Sequence, residues 1–165
     1  MFISQIEHTV AFTGHRTYRA EVNDELRRLL EELYSQGYRT FLSGMACGFD
    51  VAAAEAVIEL RERCPDVELV AVVPFVGFRN MFRGEDLARY DAVMDAADRQ
   101  IVVSDMRGAI GYHKRNDFLV DNASYIVAWW NHLPKGGTFY TVTRARRQHK
   151  PVNNLCPQLQ MEIFG

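Results

Sequence analysis

Strand-like and helix-like segments alternate about five times along this chain, and this alternation constrains the fold more than any other feature. β-Rich runs at 9–13 and 38–43 are each followed by a segment with helical periodicity. The run at 68–74 (ELVAVVP) is apolar almost throughout, which predicts a strand covered on both faces. Repeated β-α units of this kind predict an α/β fold: a doubly wound, mostly parallel sheet of five to six strands with helices on both faces.

The spacing of apolar residues and the positions of glycine and proline predict the remaining elements. Helices are predicted over 18–36, 50–63, 85–97, 114–122 and 138–148. Further strands are predicted over 99–104, 124–130 and 151–155. The chain has 165 residues and contains no linker or internal repeat, so residues 1–165 are predicted to form a single domain.

Composition and charge narrow the class of protein. The longest apolar runs, such as 69–75 and 125–130, are far shorter than the ~20 residues that cross a bilayer, so no membrane partner is expected. Residues 1–8 lack the basic and apolar regions of a secretory signal, which favours a cytoplasmic location. The formal net charge of −2 provides no overall attraction for a polyanion, so nucleic acid is disfavoured as a partner.

The three cysteines, Cys47, Cys64 and Cys156, are widely spaced and odd in number. This pattern supports neither a disulfide framework nor a zinc site. We therefore expect reduced thiols, no metal site and no bound cofactor.

Ligands of a doubly wound sheet bind beyond the carboxyl ends of its strands, which directs attention to 13–16, 43–50, 74–75 and 131–138. Two of these segments are glycine-rich loops that lead into a predicted helix, where free backbone N–H groups favour a phosphate. Neither loop has the G-x-G-x-x-G spacing or a Gly-Lys-Ser/Thr triplet, which disfavours a dinucleotide-binding domain and a P-loop NTPase.

Three charged residues are candidates for specific contacts in this site. Asp50 opens the second predicted helix, where it either caps the helix or binds a ribose hydroxyl. Glu55 lies at the margin of the apolar stripe of the same helix and is either a carboxylate near the site or a solvated charge. Arg16 directly follows the first strand, where it is placed to pair with a phosphate.

Three segments, in this order, resemble the YpsA-like branch of the SLOG superfamily: 43–50 (SGMACGFD), 112–121 with its Arg115-Asn116 pair, and 135–142 (KGGTFYTV). The superfamily also contains the DNA-processing protein A family and the cytokinin-activating phosphoribohydrolases. The resemblance extends from 13 to 155 and implies a Rossmann-like fold that binds nucleotides or nucleotide-derived ligands.

The resemblance also assigns individual residues. The Gly-x-Asp element of the superfamily falls on Gly48-Phe49-Asp50, and its phosphate loop falls on Gly136-Gly137-Thr138. Thr141 stands where the phosphoribohydrolases carry a catalytic glutamate. Loss of that charge disfavours N-glycosidic hydrolysis by the same route.

Together these observations favour a module that binds or senses a small nucleotide or nucleotide-derived ligand. Assembly of the chain into a homodimer or a higher homo-oligomer is compatible with this interpretation. The predicted ligand-binding residues are Gly14, His15, Arg16, Ser43, Gly44, Met45, Gly48, Asp50, Pro74, Phe75, Arg115, Asn116, Lys135, Gly136, Gly137 and Thr138. The first alternative is an enzyme that cleaves an N-glycosidic bond of a nucleotide, with Glu55 or Asp50 as its catalytic carboxylate. The second is single-stranded DNA binding through the basic run 144–150 (RARRQHK).

Overall fold

The computed structural model describes residues 2–158, which form six strands and five α-helices. The strands are β1 (Thr9–Gly14), β2 (Thr40–Ser43), β3 (Glu68–Val73), β4 (Arg99–Val102), β5 (Tyr125–Trp129) and β6 (Val152–Asn154). The helices are α1 (Asn23–Ser35), α2 (Phe49–Arg63), α3 (Gly84–Ala96), α4 (Ala109–Asp121) and α5 (Gly136–Arg147). Single 3-10 turns cover Ile6–His8 and Phe78–Met81.

The strands pair in parallel in the order β4-β3-β2-β1-β5-β6. The chain starts at the centre of the sheet, runs outward from β1 to β4, and returns through α4 to place β5 on the other side of β1. The register of this central pair aligns Gly14 at the end of β1 with Trp129 at the end of β5. This topology confirms the predicted Rossmann-like fold and locates the switch in strand order between β1 and β5, where a ligand crevice opens.

The sheet separates two hydrophobic cores. On one face, α1, α2 and α3 pack over the aromatic side chains of Phe12, Phe41 and Phe49. On the other face, α4 contributes Leu119 and Val120 to a core that α5 completes. Because helices cover both faces, packing fixes the backbone at the ends of the central strands. The residues that directly follow those strands are therefore held in defined positions.

Two predicted helix starts were wrong. Helix α1 begins at Asn23 rather than Tyr18, because 18–22 forms a turn in which Ala20 has a φ of +73° and the Tyr18 hydroxyl contacts Asn23 Oδ1 at 2.5 Å. Helix α4 begins at Ala109 rather than Lys114, directly after Gly108 with a φ of +73°. The earlier start adds the segment 109–113 to α4.

Two negative findings apply to residues 2–158. None of the helices in that part of the chain is both long enough and apolar enough to traverse a bilayer. Within the same residues, no group of three or more His, Cys, Asp or Glu side chains is arranged to hold a metal ion.

Candidate functional site

A cavity of about 690 Å³ opens at the carboxyl ends of the strands, beside the switch between β1 and β5. Nine of the residues predicted to bind a ligand line it: Gly14, His15, Arg16, Asp50, Arg115, Asn116, Gly136, Gly137 and Thr138. The starts of α2, α4 and α5 border the same cavity through Asp50, Ala109 and Gly137. The topology therefore brings together segments that are far apart in the sequence.

Two glycines allow α2 to approach the end of β1 closely. A Cβ on Gly14 would lie 2.5 Å from the Phe49 side chain. A Cβ on Gly48 would lie 2.6 Å from the carbonyl oxygens of His15 and Arg16, and Gly48 also has a φ of +83°. Gly48 does not line the cavity; together with Gly14 it allows the backbone contact that brings the first turn of α2 to the site.

Asp50, in that first turn, is only 4% exposed and carries the least satisfied group of the site. Its Oδ2 accepts a hydrogen bond from the Ala46 backbone N–H at 3.3 Å. Its Oδ1 is buried and has no hydrogen-bond partner within residues 2–158. Burial raises the pKa of Asp50 to about 6, although the charges of Arg115 and Arg16 and the backbone N–H groups of Ala46 and Gly14 lower it. Asp50 therefore holds, at the border of the cavity, a carboxylate oxygen whose capacity to accept a hydrogen bond is unused within residues 2–158.

Arg115 reaches from α4 to the loop after β2 and is 7% exposed. Its Nη1 donates to the Gly44 carbonyl oxygen at 2.9 Å. A Cβ on Gly44 would lie 2.6 Å from Arg115 Cδ, so this glycine makes room for the arginine side chain. Burial lowers the pKa of Arg115, and the Asp50 charge opposes that effect. Gly44 thus belongs to the wall behind the cavity.

Other predicted residues support the site from outside the cavity lining. The Ser43 hydroxyl donates to the Asp50 carbonyl oxygen at 2.8 Å and accepts from the Met45 N–H at 3.2 Å. The Phe75 ring packs against the Tyr112 ring with centroids 5.6 Å apart, and its neighbour Pro74 is also buried. The last of these residues, Lys135, is exposed and immediately precedes α5.

The N-terminal end of α5 provides the main anion-binding feature. No side chain caps this end of the helix, and no acidic residue occurs in its first turn. The helix begins with Gly136, which has a φ of +91°, and Gly136, Gly137 and Thr138 border the cavity. Arg16 also lines the cavity, with its guanidinium carbon 5.8 Å from the centroid of the Tyr112 ring. Free N–H groups, the positive end of the helix dipole and an arginine favour a phosphate here.

His15 connects the end of β1 to the loop before α5. Its Nε2 accepts a hydrogen bond from the Asn131 backbone N–H at 3.0 Å, and its ring packs edge-to-face on Trp129. Burial lowers the pKa of His15. The neutral ring therefore holds the loop that leads to the N-terminal end of α5.

Glu55 does not line the cavity. Its two oxygens receive hydrogen bonds from Arg89 of α3, at 3.1 Å from Nε and 2.5 Å from Nη2. Both side chains of this pair are partly exposed. Among the residues that line the cavity in the described part of the chain, Asp50 is the one carboxylate.

Six residues that line the cavity were not among the predicted ligand-binding residues: Thr13, Ala46, Ala109, Tyr112, His113 and Tyr140. Thr13 and Ala46 lie within the segments 13–16 and 43–50 to which the sequence directed attention. Tyr112 and His113 were missed as site residues because the predicted start of α4 was five positions late and the segment after β4 was not considered. The available signal was Gly108, which can begin a helix in the same way as Gly48 does for α2.

Comparison with known proteins relates the chain to a bacterial family and to a solved fold. The YpsA family model, described as the YspA SLOG family, matches residues 9–163. A UPF0398 protein of Staphylococcus epidermidis is 24% identical over 132 residues, covering 72% of this chain and 70% of the relative. The UPF0398 protein YpsA of Bacillus subtilis is 19% identical over 131 residues, covering 78% of this chain and 73% of the relative.

Two solved structures of DNA processing protein A share the fold. The Streptococcus pneumoniae protein superimposes with a TM-score of 0.67 at 17% identity, covering 94% of this chain and 52% of its own. The Helicobacter pylori protein, which binds single-stranded DNA, gives a TM-score of 0.66 at 19% identity, covering 94% of this chain and 68% of its own. The chain thus spans about half of the pneumococcal protein.

Proposed function

The chain belongs to the YspA SLOG family, and from this membership together with the geometry of its cavity we propose that it binds a small nucleotide or nucleotide-derived ligand. The observation that carries the proposal is the buried, unpartnered Oδ1 of Asp50 in a cavity that also contains the uncapped end of α5. The N-terminal end of α5 favours an anion, and the Asp50 carboxylate favours a hydrogen-bond donor. A nucleotide combines a phosphate with sugar hydroxyl groups.

The two ends of the ligand are assigned by charge. The phosphate lies at the N–H groups of Gly137 and Thr138, with Arg16 as a counter-charge. A sugar hydroxyl donates to Asp50 Oδ1, since an ionised carboxylate only accepts and would repel a phosphate. The rings of Tyr112 and His113 offer surfaces against which a base stacks. The volume of about 690 Å³ suits a ligand of this size.

Thermal unfolding in the presence of ligands tests the proposal. The common ribonucleoside 5′-monophosphates are screened, and we expect at least one of them to raise Tm. We expect inorganic phosphate to compete with that nucleotide. Ligand at 100 times its Kd adds about 2.7 kcal/mol to the free energy of unfolding. Gly137→Val should remove the effect, because its side chain occupies the space beside the helix end. Thr143→Val introduces the same residue later in α5 and should leave the effect unchanged. No shift with any monophosphate or with phosphate contradicts the proposal.

The enzymatic alternative makes a different demand on the site. N-Glycosidic cleavage needs a carboxylate beside the sugar. Glu55 is held by Arg89 outside the cavity lining, and Thr141 stands where the phosphoribohydrolases carry their catalytic glutamate. Asp50 is the remaining carboxylate, and the proposed hydroxyl contact already uses its free oxygen. We therefore propose binding without turnover, with Asp50 as a ligand contact. Chromatography of nucleoside monophosphates incubated with the protein should show no release of free base. Steady formation of base over many turnovers would establish the alternative.

Single-stranded DNA binding ranks lower, despite the shared fold. In the basic run, Arg144 is paired with Asp117 and Asp121, and the Arg146 guanidinium carbon lies 5.6 Å from the centroid of the Trp130 ring. The positive charges of Arg144 and Arg146 therefore already interact with groups of the protein itself. Fluorescence anisotropy of a labelled oligonucleotide at two salt concentrations should show weak binding. Sub-micromolar binding would reverse this ranking if the logarithm of the affinity fell with the logarithm of the salt concentration with a slope of about −0.7 per contacted phosphate. Replacement of Arg144, Arg146 and Arg147 by Ala would then be expected to flatten the slope.

A cytoplasmic location and assembly into a homodimer or larger homo-oligomer are further parts of the proposal. Sedimentation velocity of the purified protein tests the assembly, and a single monomeric species would contradict it.

A further inference from the structure

The amide group of Asn116 is held in one orientation beside the end of α5. Its Oδ1 accepts a hydrogen bond from Arg115 Nε at 3.0 Å, in a buried environment. A guanidinium can only donate hydrogen bonds, so the atom that faces it must be the amide oxygen. The amide nitrogen Nδ2 is consequently on the opposite side.

That nitrogen is directed toward the anion-favouring end of the cavity. Asn116 Nδ2 lies 3.5 Å from the position that a Cβ on Gly137 would occupy. The whole residue is 7% exposed, yet Nδ2 makes no hydrogen bond to any group within residues 2–158. Asn116 lines the cavity, and an amide donor that has no partner among the described residues and lies next to a helix N-terminus is suited to an anion.

We propose that Asn116 Nδ2 donates a hydrogen bond to a phosphate oxygen of the ligand and that Arg115 is the positioning residue that fixes this donor. The inference rests on the proposed nucleotide binding and deepens it, because it adds a side-chain donor to the backbone N–H groups of Gly137 and Thr138. The phosphate subsite then combines donors from two different helices.

Arg115 suits the positioning role because its guanidinium is anchored within the protein. Nη1 donates to the Gly44 carbonyl oxygen at 2.9 Å while Nε donates to Asn116 Oδ1. An amide rotated by 180° would place Nδ2 against a cation and its oxygen against the phosphate, and both contacts are unfavourable. A lysine at this position keeps a positive charge but lacks the rigid, planar array of donors.

Inorganic phosphate and a ribonucleoside monophosphate that stabilises the wild type are the probes for the test. Isothermal titration should show that Asn116→Asp, which has the same shape but an acceptor in place of Nδ2, weakens phosphate binding at least 10-fold. Arg115→Lys should weaken it about 3- to 10-fold because the amide is no longer held. Asn122→Asp makes the same chemical change at the far end of α4, where Asn122 Nδ2 bonds to the Phe118 carbonyl oxygen, and should leave Kd within about twofold.

A second comparison separates a positioning role from a general structural one. The corresponding nucleoside, which lacks the phosphate, should bind wild type, Asn116→Asp and Arg115→Lys with the same affinity. Equal losses for nucleotide and nucleoside would overturn the inference, as would phosphate binding to Asn116→Asp at wild-type strength. If the wild type binds neither phosphate nor any monophosphate, the proposed function fails together with the inference. If it binds them but Asn116→Asp does too, only the inference fails.

Nuclear magnetic resonance provides a measurement on the unaltered chain, should Asn116→Asp prove unstable. The two side-chain N–H resonances of Asn116 should shift on titration with phosphate, while those of Asn122 should not. Unmoved Asn116 resonances at saturating phosphate would overturn the inference.

Discussion

Two of the four carboxylates of helix α2, Asp50 and Glu55, lie five positions apart and each is near an arginine of another helix, yet they differ in exposure and in hydrogen bonding. Asp50 is 4% exposed, whereas the Glu55 side chain is 40% exposed. Arg89 satisfies both oxygens of Glu55, whereas Asp50 retains an oxygen without a partner. The comparison teaches that proximity of an acid to an arginine does not define a site; an unmet hydrogen-bonding need inside a cavity does.

The energetics of the two pairs follow from their exposure. An ion pair at the surface contributes about 0–1 kcal/mol, because water already solvates both charges. A buried charge loses that solvation and depends on the groups around it, which for Asp50 are the charges of Arg115 and Arg16 and the backbone N–H groups of Ala46 and Gly14. Burial of the Asp50 charge, which forms no salt bridge within residues 2–158, therefore imposes a cost on the folded protein that the exposed Glu55–Arg89 pair does not impose.

Removing each arginine should give the largest contrast. Arg115→Met removes the larger of the two positive charges that act on Asp50 and leaves the Gly44 oxygen and Asn116 Oδ1 without this donor. We expect a loss of about 3–5 kcal/mol in the free energy of unfolding. The matched change Arg89→Met should cost at most about 1 kcal/mol. Urea denaturation of both variants measures the difference, and equal losses would contradict the distinction between the two pairs.

The pH dependence of stability should distinguish the two carboxylates next. Because the folded-state pKa of Asp50 is raised from 3.8 to about 6, the folded protein binds the Asp50 proton more tightly than the unfolded chain does. The Asp50 contribution to stability is thus full below pH 4 and is lost as the pH rises to about 6. The loss is on the order of 3 kcal/mol. Asp50→Asn should abolish this component of the pH profile, whereas Glu55→Gln should retain it. A wild-type profile in Asp50→Asn would show that another group titrates.

Ligand binding should show the same contrast with a smaller effect. Asp50→Asn removes the negative charge of the side chain and replaces one carboxylate oxygen by an NH2 group. We therefore expect nucleotide affinity to fall about 10- to 100-fold. Inorganic phosphate should bind the variant as it binds the wild type. Nucleotide affinity of the wild type should also decline as the pH falls below about 6, since protonated Asp50 accepts less strongly. Titrations of the wild type and of Asp50→Asn at pH 5 and pH 7.5 measure both effects, and the variant reports the part of the pH dependence that comes from protonation of the ligand phosphate, whose second pKa is about 6. Loss of phosphate binding in Asp50→Asn at pH 7.5 would mean that Asp50 supports the phosphate subsite instead.

Sequence reasoning could predict the sheet and half of the site because both depend on local patterns. The apolar run of β3 and the glycines before α2 and α5 are visible in the chain, and parallel strands always end on the same edge of the sheet. It was also correct that Asp50 lies at the start of a helix, although no local pattern decides between a cap and a ligand contact.

The remaining features depend on contacts between distant residues. Arg115 reaches the loop after β2 only because Gly44, 71 positions earlier, lacks a side chain. The partner of Glu55 lies 34 positions away on α3, so its periodicity on α2 could not reveal that the carboxylate was already satisfied. Such pairings require the three-dimensional arrangement, and they are what separate a residue of the cavity from a residue near it.

The smallest expected effect belongs to Glu55→Gln, the control for every experiment on Asp50. The amide keeps the shape of the side chain and removes its charge, which weakens one exposed pair with Arg89 by about 1 kcal/mol or less. Nucleotide Kd should remain within about twofold of the wild type, because Glu55 does not line the cavity. Calorimetry measures the affinity, and chromatography for free base should give no signal for either protein. Base release by the wild type that disappears in Glu55→Gln would reverse the comparison. It would show that Glu55, the partly exposed carboxylate that Arg89 satisfies, is the reactive one. Arg89 would then have to release Glu55 when the ligand binds.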